Sequence, residues 1–199
     1  MKFKSIRGTH DVLPSDIFAW QFIENKLREL FSLYNYREIR TPVFEQTELF
    51  SRGIGELTDI VSKEMYTFPD RGKKSLTLKP EMTAPVLRSY IENNLGEKVP
   101  LSKLYYITPA FRQENPQAGR LRQFHQFGTE AIGSPFPEMD AEIILLSLQI
   151  YQQFGIDHIV LKLNSVGDAN CRPAYKNKLK SVLKSSIGTF CEDCQRRYE

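Results

Sequence analysis

The sequence predicts an α+β fold with a largely antiparallel sheet. Amphipathic helical stretches alternate with hairpin-like pairs of strands, without the regular strand-helix-strand crossovers of a parallel nucleotide-binding fold. Neither a Walker sequence nor a GxGxxG sequence is present to support those phosphate-binding folds. With 199 residues, 41% of them hydrophobic, the chain can build a sizeable core, and one domain is the default expectation.

The first elements are a helix and a broken strand. A helix is predicted over residues 17–34, because apolar side chains recur there every three or four positions after a helix-start sequence at 13–16. Residues 36–45 are extended in character and contain Pro42, which favours an edge strand or a strand broken at proline.

The remaining elements are further strands and two helices. Gly96 and Gly155 are expected to end the two helices, since glycine commonly follows a helix C-terminus. Strands are predicted at 64–68, 75–78, 104–107, 111–114, 122–132 and 158–163, and the helices at 83–95 and 141–151.

Charge and hydropathy exclude little by themselves. The net charge of +3 is too small to indicate a nucleic-acid partner. No apolar stretch approaches the roughly 18 residues of a membrane span, and no signal-peptide run follows Met1. We therefore expect a cytoplasmic protein with no membrane association.

Three cysteines stand in the chain: Cys171, Cys191 and Cys194. Their odd number argues against a disulfide framework. Cys191 and Cys194 have zinc-ribbon spacing, but zinc needs four ligands and neither a second cysteine pair nor a histidine pair lies nearby. We expect reduced surface thiols and no metal site.

Residues 111–130 carry the most informative pattern. In a hairpin, the period of two places one set of side chains on a shared face. Because that set is polar and aromatic rather than aliphatic, it indicates a surface that binds a small molecule, with a glycine that lets a ligand approach the backbone. A solvated hairpin is the alternative, and His125 on the opposite face is expected to be structural. The set consists of Arg112, Glu114, Arg122, Phe124, Gln126, Gly128 and Glu130.

The hairpin, at 111–133, closely resembles motif 2 of class II aminoacyl-tRNA synthetases, and residues 119–130 resemble the histidyl-tRNA synthetase family specifically. Residues 7–14 resemble that family's amino-terminal signature, and 76–84 resemble its amino-acid loop. Motif 1 falls near 38–50, with Pro42 at the dimer interface of relatives. The resemblance runs nearly end to end, so residues 1–199 are expected to form part of a class II catalytic domain from a homodimer.

The resemblance implies a site for ATP. Arg112 would hold the α-phosphate and the substrate carboxylate as the catalytic residue, because its forked donors suit both anions. Glu114 would accept from the adenine amino group, Phe124 would stack on adenine, and Arg120 would reach the outer phosphates. Mg²⁺ would bridge the phosphates. For Arg120 the alternative is a solvated loop cation.

The resemblance also implies a site for L-histidine. Glu81 would accept from the α-ammonium, with Met82 and Thr83 beside it. Gln126 would supply a further contact, and Glu130 would accept from the imidazole ring. For Glu81 and Thr83 the alternative is capping of the helix that follows them.

The implied function is ATP-dependent activation of histidine and its transfer to tRNA(His). The chain ends before the family's second histidine signature, motif 3 and anticodon-binding domain, so we expect this chain by itself to make no adenylate at a useful rate. Two relatives offer alternatives: the non-catalytic regulatory subunit of ATP phosphoribosyltransferase, and the synthetase-like domain of a stress kinase. The enzyme is favoured, because both alternatives tend to lose the ATP-binding set that stands complete here.

Overall fold

The computed structural model describes residues 3–54, 64–115, 117–164 and 167–198. By its internal contacts the chain forms two compact units, residues 1–157 and 158–199, where composition predicts a single domain. All the site residues predicted from the sequence belong to the first unit. Across the described ranges, no helix is long and apolar enough to cross a membrane.

The first unit contains both sheets and most of the helices. Its elements are α1 (Ile17–Leu33), β1 (Arg37–Glu38), β2 (Phe44–Gln46), α2 (Thr47–Ile54), β3 (Thr67–Pro69), β4 (Ser75–Leu78), α3 (Thr83–Glu92), α4 (Leu95–Lys98), β5 (Ser102–Phe111), β6 (Gln123–Ile132) and α5 (Pro137–Gln153).

The described strands form two three-stranded sheets, in the orders β1-β5-β6 and β2-β4-β3. All neighbouring strands run antiparallel except the short β1, which pairs with β5 in parallel. The predicted α+β class with a largely antiparallel sheet is therefore confirmed.

The hairpin of β5 and β6 has one uninterrupted register, from Ser102 opposite Ile132 to Phe111 opposite Gln123. Because side chains alternate along a strand, each strand divides into two faces. One face of the hairpin carries Tyr106 and Thr108, and the other carries Tyr105.

The face with Tyr105 packs against α1 and α5. Apolar residues of α1 recur at helical spacing, so burial of one stripe accounts for this helix better than any cap does. The buried cluster consists of Leu27, Leu30, Phe31, Tyr36, Tyr105, Leu146 and Ile150.

A second, smaller cluster lies on the face with Tyr106. There Met82 and Val86, at the start of α3, are buried against Tyr106, with Ile39 and Leu104 packed around them. This cluster sets α3 on the same side of the hairpin as the predicted polar side chains.

Two helices differ from the prediction. The helix predicted to end at Gly96 stops at Glu92, because Asn94 takes the left-handed conformation (φ 49°) and Gly96 lies inside the next short helix. Asparagine is one of the few residues that adopt this conformation readily. The eight-residue α2 was not predicted, since two turns offer too few repeats for a periodicity argument.

Two predicted strands also differ. The strand predicted at 158–163 is wrong: these residues form no strand, and Val160 and Leu163 are 80% and 75% exposed. Their apolar character resembles a strand, but a strand requires a neighbour to receive its hydrogen bonds, and the described residues supply none. The strand predicted at 64–68 is shorter, beginning at Thr67.

In the second unit, residues 158–164 form neither helix nor strand, and helices follow. The unit contains α6 (Arg172–Leu183), a 3₁₀ turn (Ile187–Thr189) and α7 (Glu192–Tyr198). The Asp168 carboxylate accepts hydrogen bonds from the amides of Asn170 and Cys171 at 2.9 and 2.8 Å, and these amides lower its pKa. All three cysteines are exposed and lie outside any disulfide.

Candidate active site

Three segments of the first unit bring polar side chains together: the loop before α3, the residues after β5, and alternate residues of β6. Two hydrogen bonds fix the loop to the end of β5. The Phe111 amide donates to the Lys79 carbonyl, and Arg112 Nε donates to the Pro80 carbonyl, both at 3.0 Å. The loop that carries Glu81 is thereby attached directly to Arg112.

The sequence predicted that Arg112 and Glu114 lie on a strand, and this prediction is wrong. The strand β5 ends at Phe111, and the Arg112 amide adds one further bond, to the Arg122 carbonyl at 3.0 Å. The period-two argument therefore fails for these two residues, because the chain turns away from the ladder after that bond.

Arg112, Glu114, Arg120 and Phe124 nevertheless form one cluster. The Arg112 guanidinium carbon lies 5.2 Å from the centre of the Phe124 ring. One carboxylate oxygen of Glu114 is 3.9 Å from Arg112 Nη1, and the other is 3.5 Å from Arg120 Nη1. That second oxygen, Oε2, is buried and accepts no hydrogen bond from the described residues, so it is available to a ligand donor.

Arg120 is the most open member of this cluster. Its side chain is 63% exposed, and it lies in a turn in which Gln117 and Arg120 exchange backbone hydrogen bonds and Gly119 takes a φ of 77°. Such a side chain can swing toward a bound anion or remain in solvent, so both expectations for Arg120 stay open.

A chain of hydrogen bonds connects the loop to β6. The two oxygens of Glu81 accept from the backbone amides of Thr83 (2.6 Å) and Ala84 (3.0 Å), so Glu81 caps the start of α3. Thr83 Oγ1 donates to Glu130 Oε1 at 2.8 Å. The alternative of capping is thus observed for Glu81, and the same contacts place Thr83 between two carboxylates.

The two carboxylates and a buried tyrosine affect one another. Burial raises the pKa of Glu130 and the charge of Glu81 raises it further, whereas the hydrogen bond from Thr83 lowers it. Burial raises the pKa of the Tyr106 hydroxyl, and Glu130 and Glu81 act in the same direction. In the absence of a cation this end of the site accumulates negative charge, which is the arrangement that favours an ammonium or a protonated ring.

Gly128 has a different role from the predicted one. Its cross-strand partner is Tyr106, and a Cβ added at Gly128 would overlap the Tyr106 hydroxyl. The glycine admits a neighbouring side chain rather than a ligand. On the same face, Gln126 Oε1 is buried and has no hydrogen-bond partner among the described residues, so this acceptor is open for a ligand.

Two residues singled out in the sequence lie off this surface. The Met82 side chain is 1% exposed and packs in the core with Val86 and Tyr106, so it does not face the polar cluster. His125, on the opposite face of the hairpin, meets Trp20 edge to face at 4.6 Å between ring centres, in keeping with its expected structural role.

Sequence reasoning missed three residues of the site region: Lys79, Tyr106 and Thr108. Tyr106 and Thr108 share the face of Gly128 and Gln126, a placement that alternation along β5 could have revealed. Lys79 is 1% exposed, which no sequence signal indicates, because lysine is rarely buried.

A cleft of about 870 Å³ opens between α2 and α3, away from this surface. Pro42, Leu49, Leu87, Arg88 and Ile91 are among the residues that line it, and it contains none of the predicted ligand-binding residues. Volume alone therefore does not identify the site, whose charged and aromatic groups converge elsewhere.

Similarity to solved structures supports the fold. The crystal structure of apo histidyl-tRNA synthetase from S. aureus superposes with a TM-score of 0.77 at 46% identity, covering 99% of this chain and 46% of that chain. An ATP phosphoribosyltransferase regulatory subunit/histidyl-tRNA synthetase from Bacillus halodurans superposes with a TM-score of 0.68 at 21% identity, over 98% of this chain and 54% of that one. The fold is that of a class II aminoacyl-tRNA synthetase catalytic domain, present in part.

Sequence similarity defines the family. A sequence model described as "Histidyl-tRNA synthetase" matches residues 8–184, and this chain belongs to that family. A histidine–tRNA ligase from Syntrophotalea carbinolica is 53% identical over the whole chain and 48% of the relative, and one from Bacillus cytotoxicus is 55% identical over the whole chain and 47% of the relative. The chain spans about half the length of the curated relatives it matches.

Proposed function

We propose that this chain supplies the ATP- and histidine-binding surface of a histidine–tRNA ligase. The observation that carries the proposal is the continuous set of contacts from Arg120 through Glu114 and Arg112 to the Glu81 loop, and from there through Thr83 to Glu130. One set of groups suits a nucleotide, and the other suits a cationic amino acid.

At the amino-acid end, Glu81 and Glu130 accept from the α-ammonium and the imidazole ring. Thr83 bonds to both in the unliganded protein, so it holds the two acceptors at a fixed spacing. Gln126 contributes its unpartnered Oε1 as a further acceptor. An aliphatic amino acid would leave the partly buried Glu130 carboxylate unpaired, and a polar acceptor left without its partner gives roughly 10⁴-fold discrimination in sites of this kind.

At the nucleotide end, the Arg112 guanidinium binds the α-phosphate and the histidine carboxylate. Glu114 accepts from the adenine amino group through its buried Oε2, and Phe124 stacks on the ring. Arg120, which leaves Glu114 at little cost because its side chain is exposed, binds the outer phosphates. ATP enters as its Mg²⁺ complex, as a substrate.

The proposed reaction has two steps. A histidine carboxylate oxygen attacks the α-phosphorus of ATP, the bond to the β-phosphate oxygen breaks, and pyrophosphate leaves with that electron pair. A ribose hydroxyl of the terminal adenosine of tRNA(His) then attacks the histidyl carbonyl, loses its proton and displaces AMP. Arg112 stabilises the charge that develops in the first step, so catalysis depends on orientation and electrostatics.

The regulatory-subunit alternative has less support. The Bacillus halodurans protein, whose name includes that role, is 21% identical to this chain, and identity at that level indicates the fold alone. The relatives at 53% and 55% identity are named histidine–tRNA ligase, and the residues proposed for ATP stand in one cluster.

We further propose a cytoplasmic homodimer in which the segment around Pro42 contributes to the interface. The motif 1 resemblance supports this, together with the apolar side chains of Leu49, Leu87 and Ile91 in the adjacent cleft. Sedimentation of the full-length gene product should give the mass of two chains, and a monomer at micromolar concentration would contradict the proposal.

The function is tested by ATP–pyrophosphate exchange in the full-length gene product, with each amino acid offered separately. Histidine should be the amino acid that drives exchange, and exchange driven by another would refute the assignment. The 199-residue chain, assayed in parallel, should exchange too slowly to be useful, because the resemblance places further ATP contacts in motif 3. No exchange with any amino acid in the full-length product would favour the regulatory alternative.

A further inference from the structure

Lys79 is a buried charge that the proposed mechanism does not use. It follows β4 directly, and it is 1% exposed. Its ammonium donates to Thr108 Oγ1 at 2.8 Å and to the Thr41 carbonyl at 3.4 Å. The side chain therefore connects three separate segments: the end of β4, the middle of β5 and the extended segment before Val43.

The backbone of Lys79 connects the same regions. Its amide donates to the Val43 carbonyl at 3.0 Å, beside β2, and its carbonyl accepts from the Phe111 amide at 3.0 Å, at the end of β5. Both sheets of the first unit thus meet at this residue. A displacement of Lys79 would shift the loop on one side and β5 on the other.

The groups proposed to bind the amino acid are next to these connections. The Pro80 carbonyl accepts from Arg112 Nε, and Glu81 is the following residue. Thr108, which accepts from the Lys79 ammonium, is the cross-strand partner of Gln126. Lys79 therefore supports three residues that are proposed to bind histidine: Glu81, Arg112 and Gln126. The hydrogen bonds of Lys79 go to the neighbours of these residues.

Stability alone gives a weak reason for a lysine at this position. Burying a charge carries a large desolvation cost, and an apolar side chain of similar volume is often as stabilising. Burial lowers the pKa of Lys79, and the charge of Glu45 opposes that shift. A charged group kept here at such a cost is more readily explained by what its two hydrogen bonds hold in place.

We propose that Lys79 is a positioning residue, which fixes Glu81 and Arg112 relative to the hairpin and so sets the affinity of the site for its amino acid. This inference rests on the proposed function. Because Lys79 also bonds to Thr41, next to Pro42, it links the motif 1 segment mechanically to the amino-acid loop.

The test replaces Lys79 by methionine in the full-length gene product. Methionine has similar length but no donor, so the hydrogen bonds of the ammonium to Thr108 and to the Thr41 carbonyl are lost, while the backbone bond from the Phe111 amide to the Lys79 carbonyl remains. Displacements of about an ångström can cost on the order of a hundredfold in such sites. We expect KM for histidine in pyrophosphate exchange to rise by at least tenfold, KM for ATP to change less, and Lys79→Arg, which keeps the cation, to restore part of the loss.

Lys103→Met is the matched control. Like Lys79, Lys103 is a largely buried lysine, with a side chain that is 15% exposed. It lies on β5 and pairs with Glu142 on the opposite face of the hairpin. Its replacement should lower the melting temperature without raising KM for histidine. Thr108→Val, which removes only the acceptor of Lys79, should raise KM for histidine in the same direction as Lys79→Met and provides the answer if Lys79→Met fails to fold.

The outcomes separate the inference from the function on which it rests. If the wild-type protein shows no histidine-driven exchange, the proposed function fails. If the wild type responds but Thr108→Val and a folded Lys79→Met leave KM for histidine unchanged, only the positioning role is overturned. It is also overturned if both KM values rise equally in proportion to the lost melting temperature, because that result describes general destabilisation.

Discussion

At the scale of single residues, the role proposed for Glu130 in the site opposes the stability of the fold. Glu130 is a partly buried carboxylate that shares Thr83 with Glu81, and both its burial and the nearby charge of Glu81 raise its pKa. A raised pKa means that the folded protein disfavours the ionised form. A cationic ligand would relieve this electrostatic penalty. The same burial and nearby charge would therefore both raise the affinity for such a ligand and lower the stability of the unliganded protein.

We predict that Glu130→Gln stabilises the unliganded protein at neutral pH. The folded pKa of this acid is raised, so ionised Glu130 destabilises the fold above that pKa, and the penalty disappears as the pH falls through it. Glutamine still accepts from Thr83 without carrying charge. The melting temperature of the variant should exceed that of the wild type at pH 7.5, and the difference should narrow near pH 5.

The same substitution should impair histidine activation. Losing a charged acceptor to the imidazole is expected to raise KM for histidine by about ten- to a hundredfold. Glu138→Gln, at an exposed position of α5, is the control and should leave KM unchanged. If Glu130→Gln kept a normal KM for histidine, the proposal that Glu130 binds histidine would be wrong.

Gly128 and Tyr106 give a prediction about packing. Gly128→Ala should destabilise the protein by about 1–3 kcal/mol, because the new methyl group overlaps the Tyr106 hydroxyl. Removing that hydroxyl in the double variant with Tyr106→Phe should recover part of the loss in urea unfolding. Gly188→Ala, where nothing lies within 4 Å of the added Cβ, is the control, and equal effects at Gly128 and Gly188 would contradict the explanation.

At the scale of elements, Glu81, just before α3, combines an observed role with a proposed one. Its carboxylate caps the helix through the amides of Thr83 and Ala84, and we propose that it also receives the ammonium of histidine. Removing the cap with Glu81→Ala should cost about 0.5–2 kcal/mol of stability.

Glu81→Gln separates these roles. The amide oxygen can still cap one N–H group, so thermal unfolding should stay close to that of the wild type. Histidine-driven exchange should fall as strongly as in Glu81→Ala, since the charge is gone in both. If Glu81→Gln kept full exchange activity, Glu81 would be a capping residue only.

The sequence predicts elements well where a repeat is long. Residues 17–34 and 122–132 offer enough periods to identify α1 and β6 to within a residue or so. The strand at 158–163 fails because alternation cannot reveal whether a partner strand exists. The eight-residue α2 fails because its two turns are too short to reveal a period.

The site was predictable in part for related reasons. Alternation along β6 correctly put Phe124, Gln126 and Glu130 on one face. Arg112 and Glu114 reached that surface through a loop, which periodicity does not describe, and the resemblance to a known family supplied their place. Lys79 was unpredictable, because its contacts lie 29 and 38 residues away along the chain.

At the scale of the whole molecule, the described site depends on segments far apart in sequence. The amino-terminal segment joins it as well, since the Gly8 carbonyl accepts from the amides of Arg122 and Gln123 at 2.7 and 3.2 Å. Residues 7–14, which resemble the family's amino-terminal signature, therefore steady the hairpin just where β6 begins. This contact gives that signature a physical meaning.

The position of β6 has a further consequence. Among the described strands it is the outermost one of its sheet. Apart from the Gln123 amide, which bonds to Gly8, the outward amide and carbonyl groups along its ten residues have no described strand beside them. Strands exposed in this way recruit other strands. The 199-residue chain, prepared alone, should self-associate as its concentration rises, and deuterium uptake at residues 123–132 should slow in parallel. If deuterium uptake at these residues did not depend on concentration, the free edge of β6 would already be protected within one chain. The 199-residue chain would then stay monomeric enough for measurements of ligand binding.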